Sequence, residues 1–382
     1  MNKTADICVI GGGISGVAIG YFLLKNGAKN VLLLERGHLA YGATGRCGAG
    51  IRQQWGTELN CVISKYSLDF FETAQDELQY NGDIEFHQTG YMLLISNERE
   101  LEQMKKNVAL QNSLGIDSQL LTCEDARQIV PILNTDNLLG TAFCQKDGHL
   151  NPFHMTQAFA DAFKRLGGEI MTYTDVTGIT AANGRVTGIT TNKGFIAAET
   201  VVNAAVGWAQ EIAGIAGLDL PLFSERHNIM VTEPVEPILG PMIMSFSLNL
   251  YCQQTPHGSF LMGRTDDAQP RDLRMTSYSG FPELIAQSVV NVMPALKNLR
   301  VLRQWAGLYN VSPDNAAIYS AASDPKGFYT AAGFSGHGFM TSPATGQSMA
   351  EMILGLPPTL PWQRMDVSRF DSGELLLEPS VV

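Results

Sequence analysis

Three glycines, Gly11, Gly13 and Gly16, follow a short β-branched apolar run at residues 7–10 and open a second apolar stretch that ends at Gly27. Gly-x-Gly-x-x-Gly between a strand and a helix is phosphate chemistry. The first glycine permits a tight turn, the second lets the backbone approach a pyrophosphate, and the third lets the helix pack closely on the strand. The free N–H groups of the first helical turn, which carries Ile14 and Ser15, then face the phosphates with the positive end of the helix dipole behind them. Glu35, with Arg36 beside it, closes another apolar run at 31–34. It lies about 20 residues past the motif, where a carboxylate accepts hydrogen bonds from ribose hydroxyls. Strand, glycine turn, helix and acidic residue agree on a dinucleotide-binding βαβ unit, with its helix over 17–26.

Two further glycine-rich loops carry reactive side chains. Residues 42–54 (GATGRCGAGIRQQ) hold Arg46 and Arg52, which read either as a solvated loop or as an anion site; so many glycines around two guanidinium groups favour the anion. Residues 333–340 (GFSGHGFM) lie between an apolar strand at 328–332 and a helix predicted from 343 to 354, so a second helix N-terminus follows a second glycine turn. His337 in that turn is either a functional group or an organiser of the backbone. Tyr251, His227 and His257 fall in or between predicted strands, where ordinary strand or loop roles are open to them.

Other elements must position these groups. Helical spacing appears at 61–80, 98–114, 123–130, 153–166 and 281–291, and Asn151-Pro152 supplies a cap and a first-turn proline for the fourth of these. Short strands are predicted at 90–95, 169–173, 176–181, 186–191, 194–198, 201–205, 228–232, 242–245, 250–253 and 259–263, with Asn183-Gly184 as a hairpin turn. No internal repeat or linker-like segment occurs.

Composition narrows the classes. Of the 382 residues, 16% are charged and 45% hydrophobic, too little charge and too much core for a disordered chain. Lys plus Arg is 26 against 37 Asp plus Glu, a net charge of −11 with no basic run, which disfavours nucleic acid and anionic membrane surfaces as partners. The six cysteines form no CxxC pair and the histidines no metal-ligand spacing, so no metal site is expected and the thiols fit a reducing, cytoplasmic setting. Residues 7–24 carry no charge, but Gly11–13 interrupt them, so no membrane span is expected.

The 42–54 loop resembles the flavin-contacting segment of the D-amino-acid-oxidase superfamily of FAD enzymes. RCGAGIRQQ is especially similar to the β subunits of dye-linked L-proline dehydrogenases, with the sarcosine oxidase β subunit and the hydrogen cyanide synthase and opine oxidase subunits as near relatives. HQTGYMLL, VVNAAVGWA, GFSGHGFM and the Ser368-Arg369-Phe370 stretch extend the likeness over residues 5–375. The resemblance implies an α/β fold in which a Rossmann-type FAD-binding domain (1–84, 141–220 and 300–382) is interleaved with a mainly antiparallel, α+β substrate domain (85–140 and 221–299). It implies non-covalent FAD held by the first glycine motif and by Ala43, Thr44, Arg46, Cys47, Gly48, Gly50 and Ile51. Val176 meets the adenine, and Ala205, Gly207 and Trp208 return to the flavin. Gly333, Gly336, His337, Gly338, Phe339 and Met340 close on the flavin ring. Gly307 stands where the monomeric sarcosine oxidase carries a flavin-linking cysteine.

The implied reaction is oxidation of a secondary amino acid such as L-proline or sarcosine. A hydride passes from the α-carbon to flavin N5 and leaves an imine. Arg52 would pair with the substrate carboxylate, and Tyr251 and His337 would face the substrate. No lysine lies between Lys193 and Lys297, so the cationic oxygen-activating group of the oxidases is missing and a dehydrogenase is favoured. The implied partner is an α subunit, with room for FMN at the shared interface. A free-standing glycine or sarcosine oxidase that releases peroxide, and an electron-transfer subunit with no substrate of its own, remain as alternatives.

Overall fold

The computed structural model describes residues 3–266 and 268–379. Five parallel strands form the centre of one eight-stranded sheet: Phe328–Ala332, Gly194–Asn203, β1 (Lys3–Ile10), β2 (Val31–Leu34) and Glu169–Met171, in that spatial order. Ile318–Ala321 adds antiparallel at one edge, and the hairpin Val176–Ala182/Arg185–Thr191 branches from Gly194–Asn203. Asn183 and Gly184 both take left-handed backbone angles, as a two-residue hairpin turn requires.

α1 (Ile14–Lys25) packs on this sheet between the helices Pro152–Arg165 and Ser342–Leu354. Phe22, Phe159 and Phe163 lie at the centre of that layer with at most 1% of their surface exposed, and each contributes about 1.5–3 kcal/mol by burial. Asn151 accepts hydrogen bonds from the N–H groups of Phe153 and His154 and so starts the Pro152 helix as its sequence predicts.

The second eight-stranded sheet runs Val301–Val311, Phe223–Pro234, Ser259–Thr265, Leu250–Gln254, Met242–Ser245, Tyr91–Ile95, Gly140–Cys144 and Ser118–Leu121. All its pairings are antiparallel except Met242–Ser245 with Tyr91–Ile95. The helix Phe281–Val292 covers it through Phe281, Ile285 and Val289. A two-stranded pair, β3 (Gly50–Ile51) with Gly148–His149, is a separate small sheet. No helix among the described residues is long and apolar enough to cross a membrane.

Three sequence expectations are corrected. The strands predicted at 194–198 and 201–205 are one strand, Gly194–Asn203, because β1 pairs along its whole length, from Ile196 to Asn203. The first helix starts at Ile14 rather than 17, inside the glycine motif. Gly140–Cys144 and Val301–Val311 pair within the second sheet, beyond the boundaries drawn at 140 and 299.

Candidate functional site

A cavity of about 330 Å³ runs from the carboxyl ends of β1 and β2 to the face of the antiparallel sheet. Ligand crevices of open parallel sheets lie at this end of the strands. At the first end its walls are the β1–α1 turn with Gly11, Gly13, Ile14 and Ser15, then Glu35 and Arg36, then Thr174, Asp175 and Val176. Gly13, the N-cap of α1, has no side chain to satisfy the first-turn amides, and that turn carries no acidic residue. The Ile14 N–H donates to Thr44 Oγ1 (3.1 Å), and the remaining first-turn amides and the dipole are left for an anion. Glu35 accepts from the N–H groups of Gly12 (2.7 Å) and Gly37 (2.6 Å), which fixes its carboxylate in the wall. The guanidinium of Arg36 lies 4.0 Å over the ring of Trp208, joining two walls of the cavity. The helix N-terminus and the fixed carboxylate, on one wall of this cavity, together fit a dinucleotide.

The middle is lined by Ala43, Thr44, Arg46, Cys47, Gly48 and Gly50 on one side and by Ala205, Gly207, Trp208 and Gly307 on the other. Arg46 donates from Nη1 to the carbonyls of Tyr41 and Gly42, so at least part of its guanidinium organises the loop rather than an anion. The Cys47 thiol donates to the Thr44 carbonyl, and burial pushes its pKa up to about 12. Gly336, His337, Gly338, Phe339 and Met340 close the cavity ahead of the Ser342–Leu354 helix. That helix also lacks a side-chain cap and first-turn acids.

At the far end Arg52, Tyr91, His227, Met242, Met244, Tyr251, Tyr309 and His337 converge. Arg52 is 1% exposed. Among the described residues it forms no ion pair and its Nε has no hydrogen-bond partner. One Nη donates to the Gln54 carbonyl, and the guanidinium stacks 3.9 Å from the Trp55 ring. Burial lowers its pKa, and the nearby Tyr91, Glu378 and Asp147 oppose that shift. Trp55 meets His337 edge-on at 4.6 Å. Burial, and after it the Arg52 charge, pushes the His337 imidazole down to about 3, so it is neutral at ordinary pH.

Three rings stack nearly parallel in the opposite wall. His227 lies 4.3 Å from Tyr309 at 1° and 5.5 Å from Tyr251 at 10°. The His227 ring contacts Thr265 Oγ1 through Nδ1, has no partner at Nε2, and is pushed down to about 3 by burial. Burial holds the Tyr251 hydroxyl well above its usual range. The far end thus combines one buried cation with neutral rings, which can receive an anionic group attached to a small apolar body.

Three expected cofactor contacts lie elsewhere. Gly16 is behind the wall: a Cβ there would sit 1.8 Å from the Gly11 carbonyl oxygen, so its task is the close packing of helix on strand. Ile51 is in the core and pairs with Gly148. Gly333 donates its N–H to Asn310 Oδ1 one step outside the cavity. His257 is exposed in the turn before Ser259–Thr265 and takes no part. Tyr91, Tyr309, Met242 and Met244 were not singled out from the sequence, and His227 was read as an ordinary strand histidine. The available signal was Gly263 inside a strand, where a glycine marks a close approach. A Cβ at Gly263 would stand 2.4 Å from the Tyr251 ring.

A family model described as "FAD dependent oxidoreductase" (DAO) matches residues 6–352. The crystal structure of L-proline dehydrogenase from P. horikoshii superposes with a TM-score of 0.93 at 36% identity, over 98% of this chain and 100% of that one. The sarcosine oxidase subunit beta of Rhodobacter capsulatus is 27% identical over 383 residues, 99% of this chain and 91% of that protein. Glycine oxidase from Geobacillus kaustophilus shares the fold, with a TM-score of 0.88 at 21% identity over 96% of this chain and 99% of that one.

Proposed function

The chain belongs to the DAO family of FAD dependent oxidoreductases, and from that premise we propose that it oxidises a small secondary amino acid, of the class of L-proline or sarcosine, as the catalytic subunit of a dehydrogenase. The observation that carries the proposal is Arg52, a buried guanidinium at the end of the cofactor cavity with no ion pair among the described residues. A buried charge left unpaired costs about 3–5 kcal/mol, and a substrate carboxylate supplies the missing partner. FAD, when bound, accepts a hydride from the substrate carbon.

The chain's residues do the rest. The first sheet is the cofactor domain, where the α1 N-terminus would hold the pyrophosphate and Glu35 the ribose of bound FAD. The second sheet is the substrate domain. Arg52 fixes the carboxylate; Tyr251, His227, Tyr309 and Tyr91 shape an apolar slot and exclude water. His337, neutral beside Arg52, is positioned to accept a hydrogen bond from the substrate amine without adding a second positive charge. Cys47 keeps its proton and Gly307 offers no thiol, which supports non-covalent FAD.

Arg36, Arg46 and Arg52 are the cationic side chains of the cavity wall, and no lysine is among the described residues lining it. This supports a dehydrogenase that hands electrons to a partner subunit over an oxidase. The relatedness to a protein named as a subunit of sarcosine oxidase supports the partner subunit, and the likeness to L-proline dehydrogenase supports the dehydrogenase. The test is anaerobic bleaching of the flavin by a panel of L-proline, sarcosine, glycine and opines, repeated in air with peroxide detection. Bleaching by a secondary amino acid with little peroxide is expected. Rapid peroxide release without a partner would make the protein an oxidase, and no bleaching by any member would remove the substrate assignment.

A further inference from the structure

Two carboxylates hold the residues that follow Arg52. Asp147 is 0% exposed and stands in the turn just before the strand that pairs with β3. Its Oδ1 accepts from the Gln53 backbone N–H (2.9 Å) and from Gln53 Nε2 (3.3 Å), and its Oδ2 accepts from Gln54 Nε2 (3.0 Å). Gln54 Nε2 also donates to the carbonyl of Tyr91, whose ring faces Arg52. On the other flank Glu378 accepts from the Gly56 N–H (2.7 Å), Thr57 Oγ1 (3.2 Å) and Asn60 Nδ2 (2.8 Å), at the start of α2 (Glu58–Glu77). Between the two flanks the Trp55 indole N–H donates to the Arg52 carbonyl (3.3 Å) and its ring supports the guanidinium.

A buried arginine with two acids close enough for their charges to be felt would ordinarily bind one of them directly. Here both acids are engaged by amide, hydroxyl and side-chain N–H groups of the segment that carries it. Their charge moderates the cost of burying Arg52, and its fork is not occupied by either in an ion pair.

We propose that Asp147 and Glu378 are positioning residues that clamp the 52–60 segment from both sides, so that Arg52 is presented as an open cation to the substrate carboxylate. The clamp rests on the assignment of Arg52 to the substrate carboxylate and adds what sets its affinity. Its effect is on binding, because neither acid lines the cavity.

The test uses whichever of L-proline and sarcosine bleaches the wild-type flavin, with KM and kcat read by anaerobic stopped-flow. Asp147→Asn and Glu378→Gln are each expected to raise KM about tenfold with kcat within about threefold and the FAD spectrum intact. In an Arg52→Ala background the same substitutions should change KM by less than about twofold, because they act through Arg52. Unchanged KM in both single variants overturns the clamp, and so does an undiminished effect in the Arg52→Ala background. If Asp147→Asn does not fold, Glu378→Gln, at a half-buried residue of a mostly exposed segment, carries the same comparison. Failure of the underlying assignment is recognised separately: Arg52→Ala would then leave KM unchanged, or neither amino acid would bleach the flavin, and the clamp falls with it.

Discussion

The two ends of the cavity are built in different ways. At the dinucleotide end the backbone does the work: the α1 amides, the glycine turn and a carboxylate fixed by two N–H groups. At the proposed substrate end side chains do it, from β3's continuation, Tyr91–Ile95, Phe223–Pro234, Leu250–Gln254, Val301–Val311 and the turn at His337. A backbone-built site demands particular glycines at fixed spacing and tolerates few changes to them. A side-chain-built site can be altered one contact at a time, which is how one fold serves many substrates.

Substitutions that separate binding of substrate from binding of FAD test that contrast. Arg52→Ala should have the largest effect. KM for the amino acid rises by roughly two to three orders of magnitude, following the loss of a buried charge partner, while the flavin spectrum stays intact; steady-state kinetics beside absorbance read both. Gly16→Ala should do the reverse. Its Cβ would press on the Gly11 carbonyl, and FAD affinity, followed by flavin fluorescence on release, should fall roughly ten- to a hundredfold. Trp208→Ala removes the ring under Arg36 and should weaken FAD by roughly two- to fivefold with KM unchanged. A large rise in KM there would mean that the two ends are coupled.

The smallest effect concerns pH. The folded His227 pKa is pushed down from 6.5 to about 3. Between those values the unfolded chain takes up a proton that the folded chain refuses. The stability from this group is therefore present above its unfolded pKa and lost as pH falls through the window. Asp147, raised from 3.8 to about 6, acts with the opposite sign over its own window and partly masks the loss. His227→Asn should therefore shrink the fall in Tm between about pH 7 and pH 4 by about 2–4 °C, measured by calorimetry.

The same contrast explains what could be read from the sequence. Gly11, Gly13 and Glu35 were legible because phosphate and ribose recognition impose local spacing, and so were the cap at Asn151 and the turn at Asn183-Gly184. Arg52 and Tyr251 came from resemblance. His227, Tyr309 and Tyr91 escaped because their meeting depends on strand order and register: His227 stands opposite Gly307 on one neighbour and Thr265 on the other. Periodicity tells which face of a strand is buried, but not what faces it across two sheets. Asp147 escaped for a simpler reason, since a single acid in a turn has no pattern until its three hydrogen bonds are seen.

Glu378 seats on the start of α2, 318 positions after Asn60. Synthesis is vectorial, so at about 5–20 residues per second the segment carrying Arg52 waits roughly 15–60 s for the acid that completes it. Throughout that interval the nascent protein holds an arginine loop and a helix terminus without their last ligand. The full affinity of the proposed amino-acid site is thereby deferred until Glu378 has been made.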